Sequence, residues 1–198
     1  MAAGRDTVTR PQNLQDLCAA YDWLASQPHV DREAIALVGI SYGGYLAALL
    51  SEVRHVRWLA LRSPAIYLDK DWEMPKRQLN TDPALPAYRS SAISPDENRA
   101  LRACARFGGD VLLVEAEHDE IIPRQVIDNY AGAFTKARTM TRRLIRGATH
   151  AFQDKATQKD YTDVLVAWMT EMIVGSRGAI AERKVRDYKD AGRIDAVR

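Results

Sequence analysis

The chain has 198 residues, 46% apolar and 27% charged, with 28 basic against 26 acidic side chains. This length suits one domain, and the apolar share is enough to fill a core, which excludes global disorder. The near-balanced charge argues against a nucleic-acid or anionic-membrane partner. No apolar run approaches bilayer length, and no basic start leads into the long apolar stretch of a signal peptide. Two cysteines, Cys18 and Cys104, make no disulfide framework; they read as buried free thiols and suit a cytoplasmic location.

Residues 1–8 are small and polar. Thr9 to Gln12 spells T-x-x-Q with Pro11 just inside, which predicts a helix start. Leu14, Leu17, Tyr21 and Leu24 follow at helical spacing, and Pro28 stops the helix. Ile35 to Ile40 is a short apolar run without polar alternation, the pattern of a strand buried on both faces of a parallel sheet. Tyr45 to Glu52, rich in Ala and Leu, predicts a helix, and Trp58 to Leu61 a second strand. Residues 63–98 break pattern with five prolines and read as an insertion with short helices. A short helix at 100–107 ends at Gly108-Gly109, and Val111 to Val114 is a third strand. Arg124 to Arg138 predicts a helix with Val126, Tyr130, Ala133, Phe134 and Ala137 on one face, and Met140 to Ile145 a fourth strand. Lys155 to Val174 predicts a long helix with Tyr161, Val164, Leu165, Trp168 and Met172 inward. Strands alternating with helices give the α/β class, with a mostly parallel sheet. Residues 176–198 carry seven basic and four acidic side chains, a frayed helical tail or a partner-binding arm.

Ser41 stands in G-I-S-Y-G-G between a predicted strand and a predicted helix. Such a turn is tight enough to need glycine around it, lifts the hydroxyl above the sheet edge and aims a helix N-terminus at whatever is attacked there. A serine hydroxyl is a weak nucleophile and needs a base. Of the four histidines, His29 and His55 read as surface residues and His118 neighbours the third strand. His150 follows the fourth strand, on a loop at the carboxyl ends of the strands where Ser41 also lies. The base needs a carboxylate to fix its tautomer. Asp119, a few residues past the third strand, is assigned, with Glu117 as the runner-up; Glu115 and Glu117 also suit backbone or loop capping, and Glu120 suits solvent.

Three segments carry a resemblance: G-I-S-Y-G-G, V-L-L-V-E-A-E-H-D-E-I-I-P ending at Pro123, and G-A-T-H-A-F from Gly147. With the chain order Ser41, Asp119, His150, they resemble the α/β-hydrolase fold, and within it the dienelactone-hydrolase and prolyl-oligopeptidase-like serine hydrolases. The match spans roughly residues 10–175. It implies a partial α/β-hydrolase core over residues 1–175, a cap-like insertion at 63–98 and a charged tail at 176–198. It also implies acyl transfer without a metal or organic cofactor, on a small ester, thioester or short peptide amide. Ser41 attacks the carbonyl carbon, His150 carries the proton, Asp119 holds His150, and the Tyr42 backbone N–H stabilises the oxyanion. Tyr67, Trp72, Met74 and Tyr88 either line a substrate pocket or pack the insertion onto the core.

Members of this fold carry several strands and a helix ahead of the nucleophile's strand, including a loop, often near an H-G pair, that gives a second oxyanion donor. About 34 residues stand ahead of the first clear strand here. The expectation is therefore a fold short of its leading strands, with one oxyanion donor fewer, a loss of about a hundred- to a thousandfold in rate. The strand at Ile35–Ile40 becomes an open apolar edge that suits a homo-oligomer. The alternative function is a catalytically weak or inactive hydrolase remnant acting as an oligomerisation or interaction module.

Overall fold

Thr9 opens the first helix as the T-x-x-Q pattern predicts. The Gln12 N–H donates to Thr9 Oγ1 at 3.4 Å and the Thr9 N–H to Gln12 Oε1 at 2.9 Å, so two orphan donors are satisfied reciprocally. The computed structural model describes residues 7–70 and 72–195, with side chains through residue 175. The elements in order are α1 (Arg10–Ala25), β1 (Ala36–Ile40), α2 (Tyr42–Val53), β2 (Trp58–Arg62), α3 (Lys76–Leu79), α4 (Leu85–Arg89), α5 (Arg99–Arg106), β3 (Asp110–His118), α6 (Arg124–Ala133), β4 (Thr139–Thr149) and α7 (Lys155–Asp195). The chain divides into two units, one running to Tyr161 and one from Thr162. The first unit contains the sheet; the second is the remainder of α7. The charged side chains of the expected tail, 176–198, lie outside the described residues.

The four strands form one open sheet in the order β1-β2-β3-β4, all parallel. Each connection is a helix-bearing crossover, as parallel neighbours require. Strand register places Leu59 and Leu61 of β2 beside Val111 and Leu113 of β3. These four join Tyr45 and Leu49 of α2, Leu101 and Cys104 of α5 and Val126 and Tyr130 of α6 in one buried cluster. Helix α2 is apolar through its middle, and Gly44 to Leu50 are all buried. Burying roughly 1.5–3 kcal/mol of apolar side chain per large residue fixes α2 on the sheet, and thereby fixes the turn that precedes it.

Several expectations change. Leu24 is 39% exposed and does not join Leu14, Leu17 and Tyr21 against the core. Helix α6 ends at Ala133, five residues early, because Phe134 leaves the helical region (ψ 54) and the chain turns into β4. Cys104 is buried, but Cys18 is only partly so. Strand β1 is an edge, as expected, yet it is not buried on both faces: Val38 is 50% and Ile40 41% exposed. The segment 63–98 does hold short helices, α3 and α4. It is tied to α1 by a buried arginine, since Arg10 donates to the carbonyls of Leu68 at 2.7 Å and Lys70 at 3.0 Å. No helix among the described residues is long and apolar enough to cross a membrane.

Candidate active site

The carboxyl ends of β1, β3 and β4 each deliver one functional side chain. Ser41 follows β1 in a left-handed conformation, φ 53°, ψ −119°, and caps α2. A non-glycine residue rarely takes that conformation, and here the surroundings impose it. The Ser41 N–H donates to the Arg62 carbonyl at 2.9 Å, and the Ser41 carbonyl accepts from Ala65 N–H at 2.9 Å. Close approach explains the flanking glycines. A Cβ on Gly39 would sit 2.6 Å from the Gly43 oxygen, and one on Gly44 3.0 Å from Pro64 Cα.

Asp119 lies just past β3 and His150 just past β4. His150 Nδ1–H donates to the Asp119 carboxylate, with both oxygens at 2.9 Å. His150 Nε2 lies 2.9 Å from Ser41 Oγ and accepts its proton in this tautomer. The His150 and Asp119 side chains are 12% and 7% exposed, so the pair is mostly shielded from water. Burial alone would raise the Asp119 carboxyl. The hydrogen bonds from His150, Ile122 N–H and Ile121 N–H outweigh it and hold the carboxyl below its ordinary range. Asp119 Oδ1 accepts from Ile121 N–H at 3.0 Å and from Ile122 N–H at 2.8 Å. The carboxylate is thereby fixed as acceptor. Tyr42 is the first residue of α2, where a backbone N–H has no intrahelical acceptor, so this donor and the helix dipole face the same edge as Ser41.

The other acidic residues have different work. Glu117 accepts from Gly147 N–H at 2.8 Å, and Glu120, though exposed, accepts from the His150 N–H at 3.3 Å. Both brace the loop that carries the imidazole, while Glu115 forms a two-point pair with Arg142, both contacts at 3.0 Å. Arg62, at the end of β2, stacks its guanidinium 4.3 Å from the Phe152 ring centre and 4.8 Å from that of Tyr161. Phe152 is itself left-handed (φ 51°), so the stack holds the far end of the His150 loop. Sequence pattern gave no signal for Arg62, because a charged strand end looks like a solvent edge.

The sequence model of the prolyl oligopeptidase family, a peptidase family, matches residues 7–176. The chain belongs to the prolyl oligopeptidase family. No curated protein matches the sequence. Among solved structures, Est1E from Butyrivibrio proteoclasticus has a TM-score of 0.62 at 18% identity, over 85% of this chain and 72% of that one. A monoacylglycerol lipase from Paleococcus ferrophilus has a TM-score of 0.61 at 18% identity, over 85% and 78%. A puromycin hydrolase has a TM-score of 0.63 at 18% identity, over 85% of this chain but 26% of its own. This likeness shows the α/β-hydrolase fold.

In this prolyl oligopeptidase-family chain the aromatic residues of the segment 63–98 are engaged in packing. Tyr67 is buried against Tyr42 and Tyr45, with ring centres 5.9 and 5.2 Å away. Trp72 has the guanidiniums of Arg10 (5.0 Å) and Arg99 (4.5 Å) over its ring, and Tyr88 Oη accepts from Asn98 at 3.1 Å. Tyr67 and Met74 line a crevice of about 10 Å³, room for one water. Burial pushes the Tyr42 phenol up to about 12, with Tyr67 adding to it, so it stays neutral and donates to Asn13 Oδ1 at 3.0 Å. A groove of about 650 Å³ lies at the opposite, amino end of the strands, walled by Arg54, Arg57, Arg106 and Arg138; none of Ser41, Asp119 and His150 lines it.

Proposed function

We propose that the chain is a serine hydrolase that cleaves a small ester, thioester or short peptide amide through an acyl-enzyme. Ser41 Oγ attacks the carbonyl carbon while His150 Nε2 takes its proton. Asp119 keeps the imidazole in the tautomer that allows this and stabilises the imidazolium that forms. The tetrahedral oxyanion is stabilised by the Tyr42 N–H and the α2 N-terminus. His150 then protonates the leaving group as the carbon–heteroatom bond breaks. A water, deprotonated by His150, attacks the acyl-serine and releases the acid and Ser41. The observation that carries this reading is the unbroken chain of contacts, Ser41 to His150 at 2.9 Å and His150 to Asp119 at 2.9 Å. Membership of a peptidase family supports it.

A second reading is favoured by one observation, the 50% and 41% exposure of Val38 and Ile40 on the edge strand β1. An unpaired apolar edge templates strand pairing, and a chain that associates there with a second copy acts as an interaction module, with little or no turnover. One experiment separates the two. A fluorophosphonate probe labels Ser41 and p-nitrophenyl acetate is turned over, and Ser41→Ala loses both, if the chain is a hydrolase. A folded chain that associates in sedimentation, takes no label and turns over no ester overturns the first reading in favour of the second.

A further inference from the structure

Strand β2 lies between the strand that delivers Ser41 and the strand that leads to Asp119, and the four residues that leave it make a strut between the two. The Arg62 carbonyl and the Ala65 N–H hold the Ser41 backbone from both sides, each at 2.9 Å, and the Ser63 N–H donates to the Val114 carbonyl of β3 at 2.8 Å. Ser63 in this strut has three unusual properties at once. It is left-handed (φ 40°) although it is not glycine and precedes a proline, a conformation that costs free energy and persists only where the surroundings enforce it. It is 1% exposed, and its hydroxyl makes no fully formed hydrogen bond. It also lines, with Asp119, Glu115 and Glu117, a cavity of about 260 Å³. An enclosed hydroxyl without a partner is a deficit, unless it serves a group that needs it during turnover.

We propose that Ser63 is a positioning residue of the site, held by its left-handed backbone so that its hydroxyl donates to the Asp119 carboxylate and fixes the face that Asp119 presents to His150. Ser63 and Asp119 share the wall of one cavity, and the hydroxyl lies near enough to help lower the Asp119 carboxyl. A hydroxyl rotates freely, and loosely aligned catalytic hydrogen bonds tighten when substrate binds. The backbone does the aiming and the oxygen does the holding. This inference rests on Asp119 and His150 acting as proposed above.

The test uses the full chain and two variants. Ser63→Gly removes the hydroxyl and relieves the left-handed cost; Ser63→Ala removes only the hydroxyl. If Ser63 positions Asp119, both lower kcat for p-nitrophenyl acetate by about tenfold, the value of one hydrogen bond to a charged group, with KM unchanged. Ser63→Gly does so while melting no lower than the parent, a split that a merely structural role does not give. The low-field proton resonance of His150 Nδ1–H reports the Asp119 bond without any turnover and moves in both variants. An unchanged resonance in Ser63→Gly overturns the proposal, as does wild-type kcat in that variant. A parent chain that takes no fluorophosphonate label, with the resonance still shifting on substitution, overturns the hydrolase reading and leaves the Ser63–Asp119 contact standing.

Discussion

His150 is held at four points: its two ring nitrogens by Asp119 and Ser41, its backbone N–H by Glu120, and its loop by the bond from Gly147 to Glu117. The acidic run at the end of β3 therefore divides its labour. One carboxylate orients the ring and two others hold the main chain, and for this reason sequence spacing, which assigns Asp119, keeps Glu117 as the runner-up. Both sit near the strand end, and only the turn made by the Ile121 and Ile122 N–H groups decides which carboxylate faces the imidazole. Asp119→Asn keeps the shape but removes the charge and favours the wrong tautomer. Ester turnover should fall by about ten thousandfold while the chain still folds; a fall below tenfold on p-nitrophenyl acetate would show that another group orients the base. Arg62 and Arg10 had no readable signal either. Each is a charged residue whose aliphatic stem and guanidinium replace solvent with rings and carbonyls, and such partners are remote in sequence.

At the scale of the element, the strand–turn–helix unit β1–α2 was the most legible part of the chain. Its glycines, its apolar run and its Ala–Leu helix all specify one geometry. The spacing is physically tight: a methyl on Gly39 would meet the Gly43 carbonyl oxygen at 2.6 Å and Gly44 Cα at 2.7 Å, both backbone atoms that cannot swing away. Gly39→Ala should therefore cost about 2–3 kcal/mol, read as a melting temperature lower by roughly 5–10 °C. The displaced Ser41 should take probe more slowly even where the fold survives. Thermal unfolding followed by circular dichroism, with labelling rates measured below the transition, checks both. Element ends were less legible. Helix α6 stops at Ala133 although its apolar face continues to Phe134 and Ala137, because the chain must reverse to enter β4, and the start of a parallel strand leaves little mark on a helical pattern.

Across the whole first unit, chemistry and mechanical anchoring lie at opposite ends of the sheet. Asp110, 1% exposed at the amino end of β3, accepts from Arg138 Nε at 2.9 Å and from Thr139 Oγ1 at 2.9 Å. Burial would raise its carboxyl, but these bonds outweigh it and the net shift is downward. A depressed carboxyl stabilises the fold fully above its unfolded value, near pH 4, and that stability drains away as pH falls through the lower folded value. Asp110→Asn should lower the urea midpoint at pH 7 and flatten its decline below about pH 4; parallel acid limbs for parent and variant would rule the linkage out. At the carboxyl end, the three non-glycine left-handed residues among those described, Ser41, Ser63 and Phe152, all border the Ser41–His150–Asp119 cluster. Ser41 and Ser63 would relax if replaced by glycine, whereas the buried Phe152 ring offsets its strain by packing. A directed-evolution library ranked on heat tolerance alone would thus be drawn toward glycine at the two serines, so durability and turnover need to be selected together in any attempt to harden this chain.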